Sequence, residues 1–130
     1  MRPVIDHINR YASDVSASVA FYTAVIGYEL VGEGTKADGS RYAILEGVDH
    51  ELFISECPEG CASGGAFRHI GYGVDDVDAF LSRLKKDGIV EADREVVVKR
   101  YSRQLYLEDP DGNEIDIIQW TDKSRFYDEL

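Results

Sequence analysis

The spacing of apolar residues along the chain changes twice between a helical period and a strand period. Residues 4–11 are short and β-rich and end at Ser13-Asp14. Val15, Val19, Tyr22, Val25 and Ile26 then recur at three- and four-residue intervals, the spacing of one helix face. Asp14 is placed to cap that helix, because its carboxylate accepts an orphan N–H of the first turn. Gly27 supplies the left-handed stop. The pattern returns later and more cleanly. Asp75 or Asp76 caps, Val77, Phe80, Leu81 and Leu84 form a stripe, and Gly88 ends it. After each helix the period falls to two. Strands are expected near 28–34, 41–46 and 50–55, and again near 89–99, 103–108 and 113–119. Turn residues separate them at Ala37-Asp38-Gly39, Glu46-Gly47 and Asp109-Pro110-Asp111-Gly112-Asn113.

The recurrence extends to individual residues. An offset of about 62 sets His7 on His69, Asp14 on Asp76, Val15 on Val77, Val19 on Leu81, Arg41 on Arg103 and Leu45 on Leu107. It slips by one at the last turn, so that Glu51 falls on Glu114. Two copies are too few for a solenoid and point to one duplication. Each copy reads βαβββ, which makes the chain α+β: two tandem βαβββ units forming a cleft. The expected organisation is a single domain over 1–130, with half-repeats at about 3–56 and 65–120. Residues 121–130 are expected as a tail or short helix.

Alternation then assigns faces. Leu52 and Ile54, Leu105 and Leu107, and Ile115 and Ile117 point toward the helices. Glu51, Phe53 and Ser55, then Gln104, Tyr106 and Glu108, then Glu114, Asp116 and Ile118 point the other way. That second face is carboxylate-rich. It is a solvated surface if the sheets lie flat and a cleft lining if they curl.

A chain of 130 residues buries about 70% of its extended surface, enough for one core. The net charge of −11 argues against nucleic-acid and anionic membrane surfaces, both of which select clustered positive charge. No apolar run reaches the roughly 20 residues of a membrane span, and the N-terminus lacks an export signal, so the cytoplasm is expected. Cys57 and Cys61 are spaced C-x3-C with no second pair, which excludes a four-thiolate zinc site; two reduced thiols in a connection are expected, with half of a metal site or a redox pair as the alternative.

Three segments carry a resemblance to a known family. They are Asp6-His7 with Ser13-Asp14 and the helix ending near Gly27, the run His69-Ile70-Gly71-Tyr72-Gly73-Val74-Asp75-Asp76-Val77-Asp78-Ala79-Phe80, and Asp109-Pro110-Asp111-Gly112-Asn113. Over residues 3–120 the chain resembles the vicinal oxygen chelate superfamily of glyoxalases, extradiol dioxygenases, fosfomycin-resistance enzymes and bleomycin-binding proteins. The resemblance implies a divalent metal in the cleft. It implies His7 and His69 as ligands, then the residue three beyond Asn113, which is Asp116, and in some members a fourth at Glu51. The family's usual residue at position 116 is Glu, and Asp reaches about 1.5 Å less far, roughly one carbon–carbon bond. Glu114, on the same face, is the alternative carboxylate. Two imidazoles and one carboxylate suit Fe, whereas a fourth carboxylate suits Mn, Ni, Co or Zn. Short members of the superfamily also imply a homodimer. His50 has the opposite alternation to Glu51 and is expected in a turn or at the surface.

One segment runs against the acidic balance. Arg94, Lys99, Arg100 and Arg103 bring four cations into ten residues. They either pair with surface carboxylates or form an anion clamp at the cleft mouth. Tyr42 and Gln104 are further expected substrate contacts, and Tyr106 is placed to hydrogen-bond substrate or shuttle a proton. The leading functional expectation is a metal-dependent enzyme acting on a small oxygenated molecule by lyase or isomerase chemistry, with Glu51 as ligand or general base. The alternatives are a metal-free binding protein that sequesters an antibiotic, which Asp116 and the tyrosine content favour, and an Fe(II) dioxygenase in which Glu51 does not ligate; the paired histidines and Glu51 favour the enzyme.

Overall fold

A computed structural model describes residues 1–2, 4–57 and 67–130. The elements are β1 (His7–Ala12), α1 (Val15–Val25), β2 (Glu29–Thr35), β3 (Arg41–Glu46), β4 (Glu51–Glu56), β5 (His69–Gly73), α2 (Val77–Lys86), β6 (Val97–Val98), β7 (Ser102–Glu108), β8 (Glu114–Trp120) and α3 (Lys123–Asp128). They form two four-stranded sheets, ordered β1-β4-β3-β2 and β5-β8-β7-β6. In each, the first and last strands of the half pair in parallel and the rest antiparallel. The fold is therefore α+β, built of two βαβββ units. The chain divides into Met1–Gly65 with Asp109–Gly112, and Ala66–Glu108 with Asn113–Leu130.

The helices begin and end as their residues dictate. Asp14 accepts a hydrogen bond from Ala17 N at 3.1 Å and Asp76 accepts one from Ala79 N at 3.0 Å. Of the two second-half candidates, Asp76 is thus the cap. At the far end of α2, Gly88 takes φ +70° and Ile89 N reaches back to Leu84 O at 2.9 Å, closing a Schellman turn. Val15, Ser18, Tyr22 and Val25 are the buried residues of α1, and Val77, Leu81 and Leu84 those of α2. Val19 and Ile26 lie only half-buried, because Ser18 takes the inward position.

In the first unit those side chains meet Ala43, Leu45, Leu52 and Ile54, and in the second Leu105, Leu107, Ile115 and Ile117, all buried. Each large apolar side chain so placed contributes about 1.5–3 kcal/mol. Truncating one, for example Leu52→Ala, costs about 2–5 kcal/mol. The strand faces assigned from alternation are therefore the faces observed.

Two expectations change and one is refined. The strand expected over 89–99 shrinks to Val97–Val98. The residues before it turn instead, with Arg94 N bonded to Glu91 O at 3.1 Å and the Arg94 guanidinium on Glu91 at 2.9 Å. His50 lies in the turn before β4, as expected, and is half-buried there. Tyr28 OH lies 2.8 Å from its Nε2, Asp49 lies 2.7 Å from its Nδ1, and Tyr28 itself is buried. Cys57 is disulfide-bonded rather than a free thiol, and Cys61 lies outside the described residues.

Candidate metal and substrate site

Each unit carries one histidine at the start of its first strand. In the first unit His7 sits beside Glu51 in register on the parallel pair β1–β4. Its ring stacks on Phe53, with centroids 4.5 Å apart and 18° between planes. Its Nδ1 lies 2.8 Å from Asp6 Oδ2. Asp6 fixes the ring's tautomer and leaves Nε2 outward, the usual arrangement behind a ligating imidazole. Among the described residues no donor engages the Glu51 carboxylate. Deeper on the same face, Ser55 Oγ donates to Asn9 Oδ1 at 2.8 Å and receives Lys36 Nζ at 3.4 Å. Tyr42 lies flat across Gly34, where an added Cβ would fall 2.7 Å from its hydroxyl.

The second unit repeats the motif with a different partner. His69 is in register with Glu114, and its Nδ1 lies 3.0 Å from Glu114 Oε2. Here the orienting carboxylate comes from the neighbouring strand. Glu114, the alternative ligand, is thus already engaged by an imidazole. Asp116 stands two residues on, paired with Gly71 and Tyr106. It is only 6% exposed. Its Oδ2 accepts Gln104 Nε2 at 3.1 Å, while Oδ1 is buried with no hydrogen-bond partner among the described residues. Burial pushes the Asp116 carboxyl above the usual carboxylate range. The attraction of His69 and Lys99 opposes the rise, and the charge of Glu114 adds to it.

A buried acceptor without a donor costs about 1–3 kcal/mol, so it calls for an explanation. The donor set here explains it: an imidazole with Nδ1 occupied, beside a carboxylate oxygen with a lone pair to give. That set fits a divalent metal. Among the described residues, no group of three or more His, Cys, Asp or Glu side chains is gathered to hold an ion. The candidate ligands are arranged as His7 with Glu51 in one unit and His69 with Asp116 in the other.

The basic segment resolves into individual pairs. Arg94 bonds Glu91, Arg100 lies 3.5 Å from Glu129, and Arg103 grips Asp78 through Nε and NH2 at 3.0 and 2.8 Å. Only Lys99 of the four reaches the polar sheet face, with Nζ 2.7 Å from Tyr106 OH. The Tyr101 hydroxyl bonds Glu129 at the end of α3, and Trp120 packs on Phe126 at 5.1 Å. No sequence pattern announced the Gln104–Asp116 or His69–Glu114 bonds. The signal available was register: Glu114 falls opposite His69, and Gln104 lies diagonally from Asp116 on one face.

Residues 4–117 match the family model of the Glyoxalase/Bleomycin resistance protein/Dioxygenase superfamily. The chain belongs to that superfamily. Among its relatives are the uncharacterized protein YwbC of Bacillus subtilis, 30% identical over 88% of this chain and 96% of that one. A probable lactoylglutathione lyase of Vibrio cholerae is 28% identical over 87% and 88%. Among solved structures, the antibiotic binding protein TnmS3 from a Streptomyces species superposes with a TM-score of 0.67 at 25% identity, covering 92% of this chain and 97% of that one. The superfamily thus joins lyase-named and antibiotic-binding relatives, and its fold alone does not choose between them. No helix among the described residues is long and apolar enough to cross a membrane.

Proposed function

We propose that the chain is a metal-dependent enzyme acting on a small oxygenated molecule, with lyase or isomerase chemistry, as a homodimer in the cytoplasm. The observation that carries the reading is Asp116 Oδ1, buried and without a donor beside His69. The proposed ligands are His7, His69 and Asp116, with Glu51 as ligand or base, taking Mn, Fe, Co, Ni or Zn. A bound divalent ion supplies Lewis-acid stabilisation of negative charge that develops on substrate oxygen.

The chain's own residues do the rest. Asp6 and Glu114 hold the two imidazoles by Nδ1, so each ring meets the site with the same nitrogen. Phe53 restrains the His7 ring by stacking. Glu51, free of donors, is the residue able to accept a proton from a substrate carbon at its carboxylate and return it to a neighbouring atom. Phe53 and Tyr42 line the same sheet face and suit the flat part of a substrate. Lys99, alone of the basic segment, is open to a substrate anion; Arg94, Arg100 and Arg103 are committed to acids.

A second reading is favoured by the TnmS3 likeness and by these aromatic side chains: a metal-free protein that sequesters an antibiotic. Elemental analysis of protein purified without a chelating tag separates the two. One ion per chain supports the enzyme. Its absence, with no binding of added Mn, Fe, Co, Ni or Zn, supports the binder. Glu51→Gln refines the first outcome. Loss of turnover by about 10²–10⁴-fold with metal retained marks a general base, and loss of metal marks a ligand. Sedimentation at micromolar concentration tests the dimer, and a species at the 14.6 kDa of one chain would exclude it.

A further inference from the structure

The second unit's polar face contains a hydrogen-bond chain with only one possible direction. Lys99 Nζ lies 2.7 Å from Tyr106 OH, Tyr106 OH 2.7 Å from Gln104 Oε1, and Gln104 Nε2 3.1 Å from Asp116 Oδ2. An ammonium only donates and a carboxylate only accepts. Tyr106 therefore accepts from Lys99 and gives its proton to Gln104. The Gln104 amide must then present its NH2 to Asp116. The two ends fix every orientation between them.

Gln104 is 7% exposed and Asp116 6%, so the inner half of the chain is shielded from water, where such bonds polarise one another. The outer half is anchored by backbone. Lys99 N bonds Ser102 O at 2.8 Å, and the Lys99 ammonium also rests over the Tyr106 ring at 5.4 Å. Arg94 holds the Tyr106 carbonyl at 3.0 Å. The chain cannot carry a proton through, because a glutamine amide in its middle has no proton to pass on at neutral pH. What it does is hold one carboxylate oxygen.

We propose that Gln104 is a positioning residue, backed by Tyr106 and Lys99, that pins Asp116 by Oδ2 and thereby holds Oδ1 ready as a divalent-cation ligand. This rests on the metal-dependent reading. It also recasts Tyr106, whose hydroxyl is taken on both sides, from a substrate-facing acid to a support. A short carboxylate benefits most from such a hold. Asp has one fewer torsion than Glu with which to find a cation, so its geometry must be supplied by its surroundings.

The test is calorimetric titration of the full-length, metal-stripped protein with cobalt(II), alongside thermal unfolding of each variant. Asp116→Ala should abolish binding. Gln104→Leu should weaken it about tenfold, the lower end of what supporting residues behind a ligand contribute. Tyr106→Phe should weaken it about threefold alone and by nothing further in the Gln104→Leu background, because it acts through Gln104. A merely structural role would lower the unfolding temperature without that non-additivity. Should Gln104→Leu fail to fold, Lys99→Met takes its place, with a loss that disappears in the Tyr106→Phe background. Gln104→Leu within twofold of the parent, or Tyr106→Phe losses that add to it, would overturn the positioning role. Asp116→Ala binding cobalt(II) as the parent does would instead overturn the metal reading itself.

Discussion

The two histidines occupy equivalent places in a duplicated unit, and their surroundings have diverged. His7 leans on its sequence neighbour Asp6, itself 88% exposed, and on the face of Phe53. His69 is held across the strand pair by Glu114 and backed by a buried carboxylate with its own support. The register partner of each histidine is a glutamate, Glu51 in one unit and Glu114 in the other. In the second unit that glutamate bonds the imidazole. In the first it is free of donors. One duplicated position thus bonds the imidazole in one copy and, in the other, carries a carboxylate without a donor among the described residues, the proposed base or ligand.

The largest expected effect tests whether both copies matter equally. His69→Ala and His7→Ala should each weaken cobalt(II) binding at least about 100-fold, because an open site with three or four ligands cannot lose an imidazole. Loss from His69→Ala with binding unchanged in His7→Ala would show that the second unit works alone, and calorimetry distinguishes these outcomes.

A second contrast lies in what each unit buries. The first unit hides a tyrosine–carboxylate pair: Tyr22, fully buried, donates to Asp109 Oδ2 at 2.8 Å. Burial and the Asp109 charge push the Tyr22 hydroxyl far above the ordinary tyrosine range. Nearby, the Ser13 amide bonds Asp111 at 3.1 Å and its hydroxyl bonds the same carboxylate. Tyr22→Phe takes a donor from a buried carboxylate and should cost about 1–3 kcal/mol in urea unfolding. A cost below about 0.5 kcal/mol would mean that the hydroxyl contributes little beyond packing.

Much of this architecture was legible in the chain. The helix caps, the duplicated strand order and the inward faces follow from Asp14 and Asp76, from the offset of His7 and His69, and from alternation at Leu105, Leu107, Ile115 and Ile117. Those signals are local and periodic. The failures were at places where a particular side-chain or backbone partner decides. The segment 89–96 has β-rich ends, yet Glu91 and Arg94 bond each other and turn it. The turn at His50 was legible, but not its half-burial against Tyr28, twenty-two residues away. The commitments of Arg94, Arg100 and Arg103 likewise depend on acids that spacing alone does not select. Between Asp116 and Glu114, sequence left the choice of ligand open because both share a face. The two differ in one respect: Glu114 bonds His69, while Asp116 Oδ1 has no hydrogen-bond partner among the described residues.

That separation gives the next expectation. Glu114→Gln keeps the size of the side chain and removes its charge, so the His69 ring stays oriented but loses basicity as a ligand. Cobalt(II) affinity should fall about tenfold, against complete loss in Asp116→Ala. Equal losses would make Glu114 a ligand. No loss would make its bond to His69 incidental.

The smallest expected effect concerns the cost of keeping Asp116 ready. Its carboxyl is raised above the ordinary range chiefly by burial, so the folded chain binds that proton more tightly than the unfolded chain does. Stability then falls as pH rises from the unfolded value of about 3.9 through the higher folded value, and the penalty is complete above it. Asp116→Asn removes the charge and keeps the shape. In the metal-free protein it should raise stability at neutral pH by about 1 kcal/mol, the scale of one buried, unmatched polar group. The gain should shrink on acidification through the folded value and vanish below about pH 3.9, where both chains are neutral at this position. Urea unfolding of the two proteins across that range measures it. A gain that persists in acid would come from packing rather than charge. A loss at neutral pH would mean that Gln104 and Lys99 more than offset the burial, and that Asp116 is settled as an anion without any cation beside it. The same substitution should abolish cobalt(II) binding, so a variant more stable than the parent yet unable to hold metal would mark position 116 as kept for function against the interest of the fold.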